Sequence, residues 1–408
     1  MPVRTFLQNR LEPYVHGISM KWLKAGAAVM PFRWPKVFEG EAPSIQLCRY
    51  LIKKGHKSVL LVTSKTPVRT GLIDPLVREL EAGGVKVTIH DEVRPDPTVE
   101  SIEAAVSILK ESHCDAVLTL GGGSCIDAAK VVAARGRNNK SILKMAGMFR
   151  ITRGMLPLYA IPTTAGTGSE VTIAAVVTDV EGQRKLPLMD PRLMPRAAAL
   201  DGSLMLGVAP DTTAATGMDA LTHAVEAFIS QNAMRRTNVL ALEAVRLILA
   251  HLETAVADGS NLEARQAMAR ASHLAGKAFT QAGVGYGHGI AHNFGALYHV
   301  PHGRANAIVM PYVLDYSLPK CAKRLARLAR ECGIGDEQMS VEERARLFIA
   351  RIREMNRTFQ IPEKLDALRK EDIPRIAKAA RAEARFTYAV PRYMRQSSCE
   401  RVVSQMLV

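Results

Sequence analysis

The sequence predicts an α/β domain built on a Rossmann-like parallel sheet, followed by an all-α domain. Apolar, β-branched runs of strand length alternate with helical patterns in the first half of the chain, and after Pro210 only long helical patterns follow. Strands that alternate with helices form right-handed crossovers, which place helices on both faces of a parallel sheet. We therefore predict an N-terminal extension (1–35), an α/β domain (36–202) and a helical domain (203–408).

The predicted strands share an apolar, β-branched composition and are SVLLVT (58–63), VKVTIH (85–90), AVLTL (116–120) and LYAIPTT (158–164). Apolar residues at helical spacing predict helices between them, at 70–82 and 98–112. The same spacing predicts helices in the second half of the chain at 238–257, 262–279, 320–330 and 341–358. Because sheets of this kind bind ligands outside the carboxyl ends of their strands, we look for a site in the loops that follow the strands.

Composition narrows the class of protein. Of the 408 residues, 48% are hydrophobic and 23% are charged, which is typical of a globular enzyme and not of a disordered chain. The formal net charge is +15, with basic residues dense in 320–395, so a nucleic-acid or acidic-membrane partner has to be considered. Aromatic residues make up only 5% and do not interleave with that basic run, and the sequence contains no known nucleic-acid-binding module. We therefore predict no nucleic-acid partner.

Two features bear on location. The six cysteines are scattered without a Cys-x-x-Cys pair, which predicts a reducing, cytoplasmic setting. No apolar run approaches the length of about twenty residues that a transmembrane helix needs. Residues 1–35 contain both tryptophans, Trp22 and Trp34, among basic residues, a mixture that can lie on a membrane surface. We favour a packing arm that covers the protein body or a neighbouring subunit, because the apolar stretch is short.

A glycine-rich turn follows the third predicted strand. The segment GGGSCIDAAK (121–130) continues as a helical pattern through Ala134. Successive glycines let a backbone approach a pyrophosphate without side-chain interference, and the start of the following helix points free N–H groups at the anion. A second polar loop, IPTTAGTGSEVT (161–172), follows the next strand. Its hydroxyls could simply cap turns, but we interpret both loops as the lining of a ligand crevice.

Metal-ligand chemistry concentrates in 218–311. Asp219 and His223 are four residues apart in a helical pattern, so both side chains leave one helix face about a turn apart. The second cluster of histidines in this segment contains His288, His292, His299 and His302. A lone histidine would more often be a core residue, and a lone aspartate a helix cap, so the clustering is what favours a metal site. One carboxylate with three neutral imidazoles suits zinc or ferrous iron, and leaves a positive charge that can polarise a substrate oxygen.

Two segments resemble a known family. MDALTHAVEAF (218–228) and GHGIAHNFGALYHVPHGRANAIVMP (287–311) are similar to the two signature regions of the iron-containing alcohol dehydrogenases, and the resemblance extends from about Phe38 to near the C-terminus. It implies a dehydroquinate synthase-like two-domain architecture and a divalent metal, iron or alternatively zinc. The metal ligands that it implies are Asp219, His223, His288 and His302. His292 matches the family's active-site histidine that does not bind the metal.

The resemblance also implies a nicotinamide dinucleotide, NAD or NADP, as coenzyme. The positions that match the family's dinucleotide contacts are Gly121, Gly122, Gly123, Ser124, Thr163, Thr164 and Thr167, with Lys185 near the ribose. Cys125 stands where the family often has proline, which should affect loop stiffness more than chemistry. Many NAD-preferring members carry aspartate where this chain has Ser64, which Lys65 follows. An uncharged hydroxyl does not repel a ribose 2′-phosphate, so we predict that NADP(H) is accepted, either alone or alongside NAD(H).

These features predict a metal-dependent alcohol dehydrogenase or aldehyde reductase whose small-molecule substrate is a primary alcohol or aldehyde. The metal polarises the substrate oxygen, hydride passes between substrate carbon and nicotinamide in a cleft between two domains, and His292 relays the proton. Two alternatives stay open: a dehydroquinate synthase-like metal- and NAD-dependent lyase, and a non-enzymatic nucleotide- or metal-binding protein on the same scaffold. We also expect a homodimer.

Overall fold

A parallel sheet of six strands lies in the first half of the chain. The computed structural model describes Glu12, residues 15–21 and 24–26, and residues 32–408 except Gln183. The strands are β1 (Lys36–Phe38), β2 (Ser58–Val62), β3 (Lys86–His90), β4 (Ala116–Gly121), β6 (Leu158–Pro162) and β9 (Ala197–Ala199). Their order is β1-β9-β6-β4-β2-β3, and every neighbouring pair is parallel. The four strands that the sequence predicts are confirmed as β2, β3, β4 and β6.

Strands that the sequence analysis did not predict form a second sheet. These are β5 (Gly147–Met148), β7 (Ala174–Asp179) and β8 (Arg184–Met189), in the order β5-β8-β7. Strands β7 and β8 are antiparallel, whereas β5 and β8 are parallel. The prediction also missed β1 and β9. Both have only three residues, and β9 consists of alanine, which has little preference for strands.

Helices cover both faces of the parallel sheet. They are α1 (Pro43–Lys53), α2 (Lys65–Arg69), α3 (Asp74–Ala82), α4 (Val99–Glu111), α5 (Gly123–Arg137) and α6 (Ile142–Met145). Successive strand residues point to opposite faces. Leu60 and Val62 accordingly pack into one apolar cluster with α4 and α5, while Val59 and Leu61 pack into another with α1 and α3. The predicted α/β architecture is confirmed, and its apolar core lies on both sides of the sheet.

The second half of the chain is helical, as the sequence predicts. Its helices are α7 (Pro210–Ile229), α8 (Arg235–Ala257), α9 (Leu262–Ala282), α10 (Tyr286–Tyr298), α11 (His302–Glu331), α12 (Val341–Thr358), α13 (Ile373–Thr387) and α14 (Gln396–Ser404). The helical pattern at 320–330 is the last part of α11, which runs through Pro311 and Pro319. Short 3₁₀ helices lie at Ser169–Val171, Pro191–Leu193, Gly202–Met205 and Lys370–Asp372.

The chain forms two compact units. The first contains Pro31–Val208 and Ser260–His273. The second contains Ala209–Gly259 and Leu274–Val408, together with the residues before Pro31 that the structure describes. One of the divisions between the units falls inside α9, between His273 and Leu274, where no sequence signal marks it. The domain boundary near Gly202 stays a prediction.

The described residues before Pro31 contact other parts of the second unit, to which they belong. Arg381 donates a hydrogen bond to Glu12, and the ring of His16 bonds through Nδ1 to the carbonyl oxygen of Arg385 at 3.1 Å. Lys24 donates to the carbonyl oxygen of Gln231 at 3.0 Å. These contacts favour the interpretation of the extension as a packing arm. Among the described residues, no helix has the length and apolar character needed to cross a membrane.

Candidate functional site

Helix α7 presents three polar side chains on one buried face. Asp219, His223 and Glu226 are 2%, 5% and 5% exposed, and they follow one another at one-turn spacing. The first turn of α11 lies very close to this helix: a Cβ atom added at Gly303 would be only 2.2 Å from the carbonyl oxygen of Ala215. Glycine at this position therefore allows the neighbouring His302 to lie beside Asp219.

Three of the predicted metal ligands form a tight group. Nε2 of His302 lies 3.6 Å from Oδ1 of Asp219, and Nε2 of His288 lies 3.9 Å from the same oxygen. The candidate ligand atoms of these three residues lie within 4.8 Å of one another, which leaves room for an ion at bonding distance from each. His223 lies beside the group, with its ring stacked on His288 at 4.5 Å and on Phe279 at 4.2 Å.

The hydrogen bonds of this group call for a cation. Glu226 accepts a 2.7 Å hydrogen bond from Nδ1–H of His288, so Nε2 of the same ring carries a lone pair. That lone pair faces the carboxylate of Asp219, another acceptor. Nε2 of His288 and Nδ1 of His223 are buried and have no hydrogen-bond partner among the described residues. A buried polar atom without a partner costs about 1–3 kcal/mol, and a divalent ion between His288 and Asp219 would satisfy Nε2 of His288.

Glu226 is a functional residue that the sequence analysis missed. Its carboxylate accepts from the backbone N–H groups of Gly285 and Gly287 at 2.6 and 2.7 Å, besides the bond from His288. These bonds fix the carboxylate at the start of α10. A carboxylate behind a ligating histidine sets which ring nitrogen is free and how the ring is turned. The spacing of seven residues from Asp219, two helical turns, could have revealed it.

Burial and charge set the protonation states that metal binding needs. Burial lowers the pKa of His288 well below its usual value, so this imidazole is neutral. Burial acts to raise the pKa of Asp219, but the neighbouring histidines outweigh it, and the net pKa is lowered. Burial raises the pKa of Glu226 to about 7, against the lowering effect of the two backbone N–H groups. An ionised carboxylate beside neutral imidazoles is the state that binds a cation.

His292 lies on the open side of the group. The side chains of His292 and His302 are 43% and 42% exposed, whereas those of Asp219 and His288 are nearly buried. The rings of His292 and His302 stack at 5.2 Å with an angle of 18° between their planes. Burial acts to lower the pKa of His292, but the hydrogen bond and charge of Glu383, together with the charges of Asp219 and Glu226, outweigh it, and the net pKa is raised. A substrate oxygen can therefore reach the group beside these two rings.

The two predicted coenzyme loops lie against each other in the first unit. They follow β4 and β6, which are neighbours in the sheet, and the N–H of Thr163 donates to the carbonyl oxygen of Gly121 at 3.0 Å. Gly121 has a φ of +159°, and a Cβ atom there would lie 2.5 Å from the sulfur of Cys125. A Cβ atom at Gly123 would lie 2.7 Å from the side chain of Thr167. Glycine is thus needed at Gly121 for the turn before α5 itself, and at Gly123 for the two loops to pack.

The start of α5 has free backbone N–H groups that can receive an anion. The N-cap is Gly122, which has no side chain to cap the helix, and Ser124 lies in the first turn. The N–H of Cys125 donates to the carbonyl oxygen of Gly122 at 3.0 Å, so the N–H groups of Gly123 and Ser124 are those left for an acceptor from outside the helix, as in phosphate-binding turns. Thr164 lies next to Gly122: a Cβ atom added at Gly122 would be 3.4 Å from the hydroxyl of Thr164. The predicted loop residues are therefore neighbours in space.

A buried lysine links α5 to the second of these loops. Lys130 on α5 is fully buried and donates to the hydroxyls of Ser169 and Thr172 and to the carbonyl oxygen of Ala174, at 2.7–3.0 Å. Asp127, one turn earlier, accepts from Ser169 at 2.6 Å. Burial lowers the pKa of Lys130 to about 8. The network joins α5 to the 161–172 loop, and the sequence analysis did not identify it.

The remaining coenzyme candidates lie at two places in the first unit. Ser64 follows β2 as the N-cap of α2, and its side chain lies near the thiol of Cys125 at the start of α5. Lys65 is exposed beside it. Lys185 lies on β8, where its ammonium group is 2.5 Å from Asp96 and 2.9 Å from the hydroxyl of Thr178. The structure thus places Ser64 next to the glycine loop, while Lys185 is ion-paired on the smaller sheet.

A parallel sheet with a phosphate-type loop, and a helical unit with an aspartate–histidine cluster, are the features expected of a metal- and dinucleotide-dependent enzyme. Residues 35–202 match the iron-containing alcohol dehydrogenases, and residues 213–407 match the C-terminal part of the Fe-containing alcohol dehydrogenase family. A 1,3-propanediol dehydrogenase of Citrobacter freundii is 39% identical over 330 residues, which cover 80% of this chain and 85% of the relative. A lactaldehyde reductase of Escherichia coli (strain K12) is 36% identical over 332 residues, covering 80% and 86%.

Solved structures agree with this assignment. The crystal structure of a 1,3-propanediol oxidoreductase is 35% identical, covers 93% of this chain and 100% of its own, and superposes with a TM-score of 0.89. The chain belongs to the iron-containing alcohol dehydrogenase family. It is a metal-dependent alcohol dehydrogenase or aldehyde reductase that uses a divalent metal and a nicotinamide dinucleotide. The dehydrogenase is thereby selected over the lyase and the non-enzymatic protein.

Proposed function

We propose that the protein interconverts primary alcohols and aldehydes at a divalent metal held by Asp219, His223, His288 and His302, with iron as first candidate and zinc as second. The buried Nε2 of His288 carries the proposal, because its lone pair faces a carboxylate oxygen at 3.9 Å. When bound, the metal supplies Lewis acidity at the substrate oxygen. The dinucleotide supplies or accepts a hydride.

The chain's own residues orient the reactants and move the proton. Glu226 holds His288 with Nε2 directed towards Asp219. His292, on the open side of the group, takes a proton from an alcohol or returns one to a reduced aldehyde, because an imidazole titrates near neutral pH. The N–H groups at the start of α5 bind the pyrophosphate of the coenzyme, and the threonines of the adjacent loop contact the dinucleotide.

Turnover of a substrate panel tests the proposal. Purified protein supplied with iron or zinc is mixed with each coenzyme and with short-chain, medium-chain and aromatic alcohols or aldehydes. We expect the absorbance of the reduced nicotinamide to change with several members of the panel, because the fold and the predicted site specify no particular chain length. Protein treated with a chelator is the control and should be inactive. Activity with a single polar substrate alone would contradict broad tolerance, and turnover without net change in the nicotinamide would restore the lyase.

Coenzyme choice is proposed to depend on Ser64. A carboxylate at this position, beside the glycine loop, would repel a ribose 2′-phosphate and accept a hydrogen bond from a 2′-hydroxyl. Aspartate is also a favoured N-cap residue, so Ser64→Asp should fold normally. We expect the variant to lose NADPH-dependent activity by about tenfold or more relative to NADH-dependent activity, since like charges in contact cost several kcal/mol.

The matched control is Thr70→Asp, which adds the same charge at the exposed far end of α2. Steady-state kinetics with both coenzymes should leave its coenzyme ratio unchanged. A wild-type protein that uses NADH alone, or a Ser64→Asp variant with the wild-type ratio, would show that this position does not set the preference.

Two finer expectations belong to the same proposal. A cytoplasmic location is supported by the six cysteines, all of which are free thiols in the structure. Fractionation of cells of the source organism would test it. A homodimer is the expected assembly, and sedimentation of the purified protein would show its mass.

A further inference from the structure

His292 is hydrogen-bonded to Glu383, which is hydrogen-bonded in turn to Tyr388. The family resemblance assigns no role to either of these two residues. Nδ1 of His292 lies 2.7 Å from Oε1 of Glu383. The phenol of Tyr388 donates a hydrogen bond to the same carboxylate oxygen. Glu383 lies on α13, and Tyr388 is the C-cap of that helix. The three side chains therefore form one hydrogen-bonded array on the open side of the metal group.

Close packing of two helices brings the array together. Helix α10 packs on α13, and a Cβ atom at Gly289 would lie 3.4 Å from the carbonyl oxygen of Ala380. His292 is one turn beyond Gly289 on α10, and Glu383 is one turn beyond Ala380 on α13. The short contact between the two backbones thus places the imidazole and the carboxylate at hydrogen-bonding distance.

The donors and acceptors of the array determine the tautomer of His292. A carboxylate only accepts hydrogen bonds, so the hydrogen between His292 and Glu383 must belong to Nδ1. Burial and the charge of Glu383 raise the pKa of Tyr388 well above its usual value, so the phenol keeps its hydrogen and donates it. Nε2 of His292 is then left with a free lone pair, which is what a proton acceptor requires.

We propose that Glu383 is the positioning residue of His292: it fixes the orientation of the imidazole and the tautomer with hydrogen on Nδ1, while Tyr388 holds Glu383 in place. The inference rests on the proposed role of His292 as the proton carrier. The stacking of His292 on His302 makes the ring's orientation matter, because a turned ring would no longer present Nε2 at the open side of the group.

Kinetics of a double-mutant cycle test the coupling. Glu383→Gln keeps the size of the side chain but can donate to Nδ1 and so permits the other tautomer. We expect kcat to fall by about tenfold, with bound metal and the KM for coenzyme unchanged. In a His292→Asn background the same substitution should have no further effect, because the residue it acts on is gone. Tyr388→Phe should give a smaller loss in the same direction.

Glu371→Gln is the control, since it removes an exposed carboxylate just before the same helix and should leave kcat unchanged. Full activity of Glu383→Gln, or equal losses with and without His292, would overturn the positioning role. Full activity of His292→Asn would instead overturn the proton-carrier role itself, so the two failures are distinguishable.

A spectroscopic readout needs no turnover. Long-range ¹H–¹⁵N correlation spectra of the zinc-loaded protein report which ring nitrogen of each histidine carries hydrogen, and the His292 signals are those that disappear in His292→Asn. We expect hydrogen on Nδ1 in the wild type and a shift towards the Nε2–H tautomer in Glu383→Gln. Hydrogen on Nε2 in the wild type, or an unchanged spectrum in the variant, would overturn the inference.

Discussion

Alanine at His302 is expected to deplete the protein of metal and to abolish turnover. Nε2 of this residue lies 3.6 Å from Oδ1 of Asp219 and completes the group on its open side. Removing a ligand should weaken metal binding by more than the roughly 10–100-fold that loss of an outer partner costs. His223→Ala should act in the same direction. Metal content by elemental analysis, together with turnover of the same samples, measures both effects.

His299→Asn provides the control for these variants. His299 is an exposed histidine of the same segment, and its φ of +56° is one that asparagine tolerates. This variant should keep wild-type metal content and activity. Full metal content in His302→Ala would contradict the site. Metal retained in His223→Ala but lost in His302→Ala would instead reduce the site to Asp219, His288 and His302.

Glutamine at Glu226 is expected to lower metal affinity by about 10–100-fold without removing a ligand. The amide can donate to Nδ1 of His288, which would then need its hydrogen on Nε2, the atom that faces Asp219. The variant therefore opposes the tautomer that metal binding requires. Competition with a chromogenic chelator gives the affinity directly, and excess metal should restore turnover.

Rescue by excess metal separates a weakened site from a misfolded one. His302→Ala should not be rescued in this way, because a ligand itself is missing. Glu342→Gln, which replaces an exposed carboxylate in the first turn of α12, should bind metal as the wild type does. Unchanged metal affinity in Glu226→Gln would show that this carboxylate does not orient His288.

The central fold was predictable because its strands are buried on both faces. Strands β2, β4 and β6 lie inside a parallel sheet and therefore read as continuous apolar runs. The edge strand β1 and the strands of the smaller sheet carry no such signal. β1 has three residues, and β7 and β8 alternate buried and exposed positions with charged residues among them. Their pairing depends on contacts that no local pattern records.

The candidate site divides in the same way. Asp219, His223 and Glu226 repeat along one helix, so spacing within a single segment suffices to group them. The bond between His292 and Glu383 joins residues 91 positions apart and arises only from the contact of two helices. No periodicity in the sequence predicts a contact between residues so far apart in the chain. Helical spacing could equally not show that the ring of His223 lies flat against His288 and Phe279.

The burial of Lys130 has a consequence for the motions of the coenzyme loops. The ammonium group of Lys130 bonds to Ser169 and Thr172 while its stem belongs to α5, so the 161–172 loop cannot separate from α5 without leaving a buried ammonium group unpaired. Because α5 begins at the glycine turn, we expect this turn and the 161–172 loop to unfold locally as one cooperative unit, whose amide hydrogens exchange with solvent together. A dinucleotide that binds either loop would then slow amide exchange in both. The coenzyme would thus stabilise the loops at the carboxyl ends of β4 and β6.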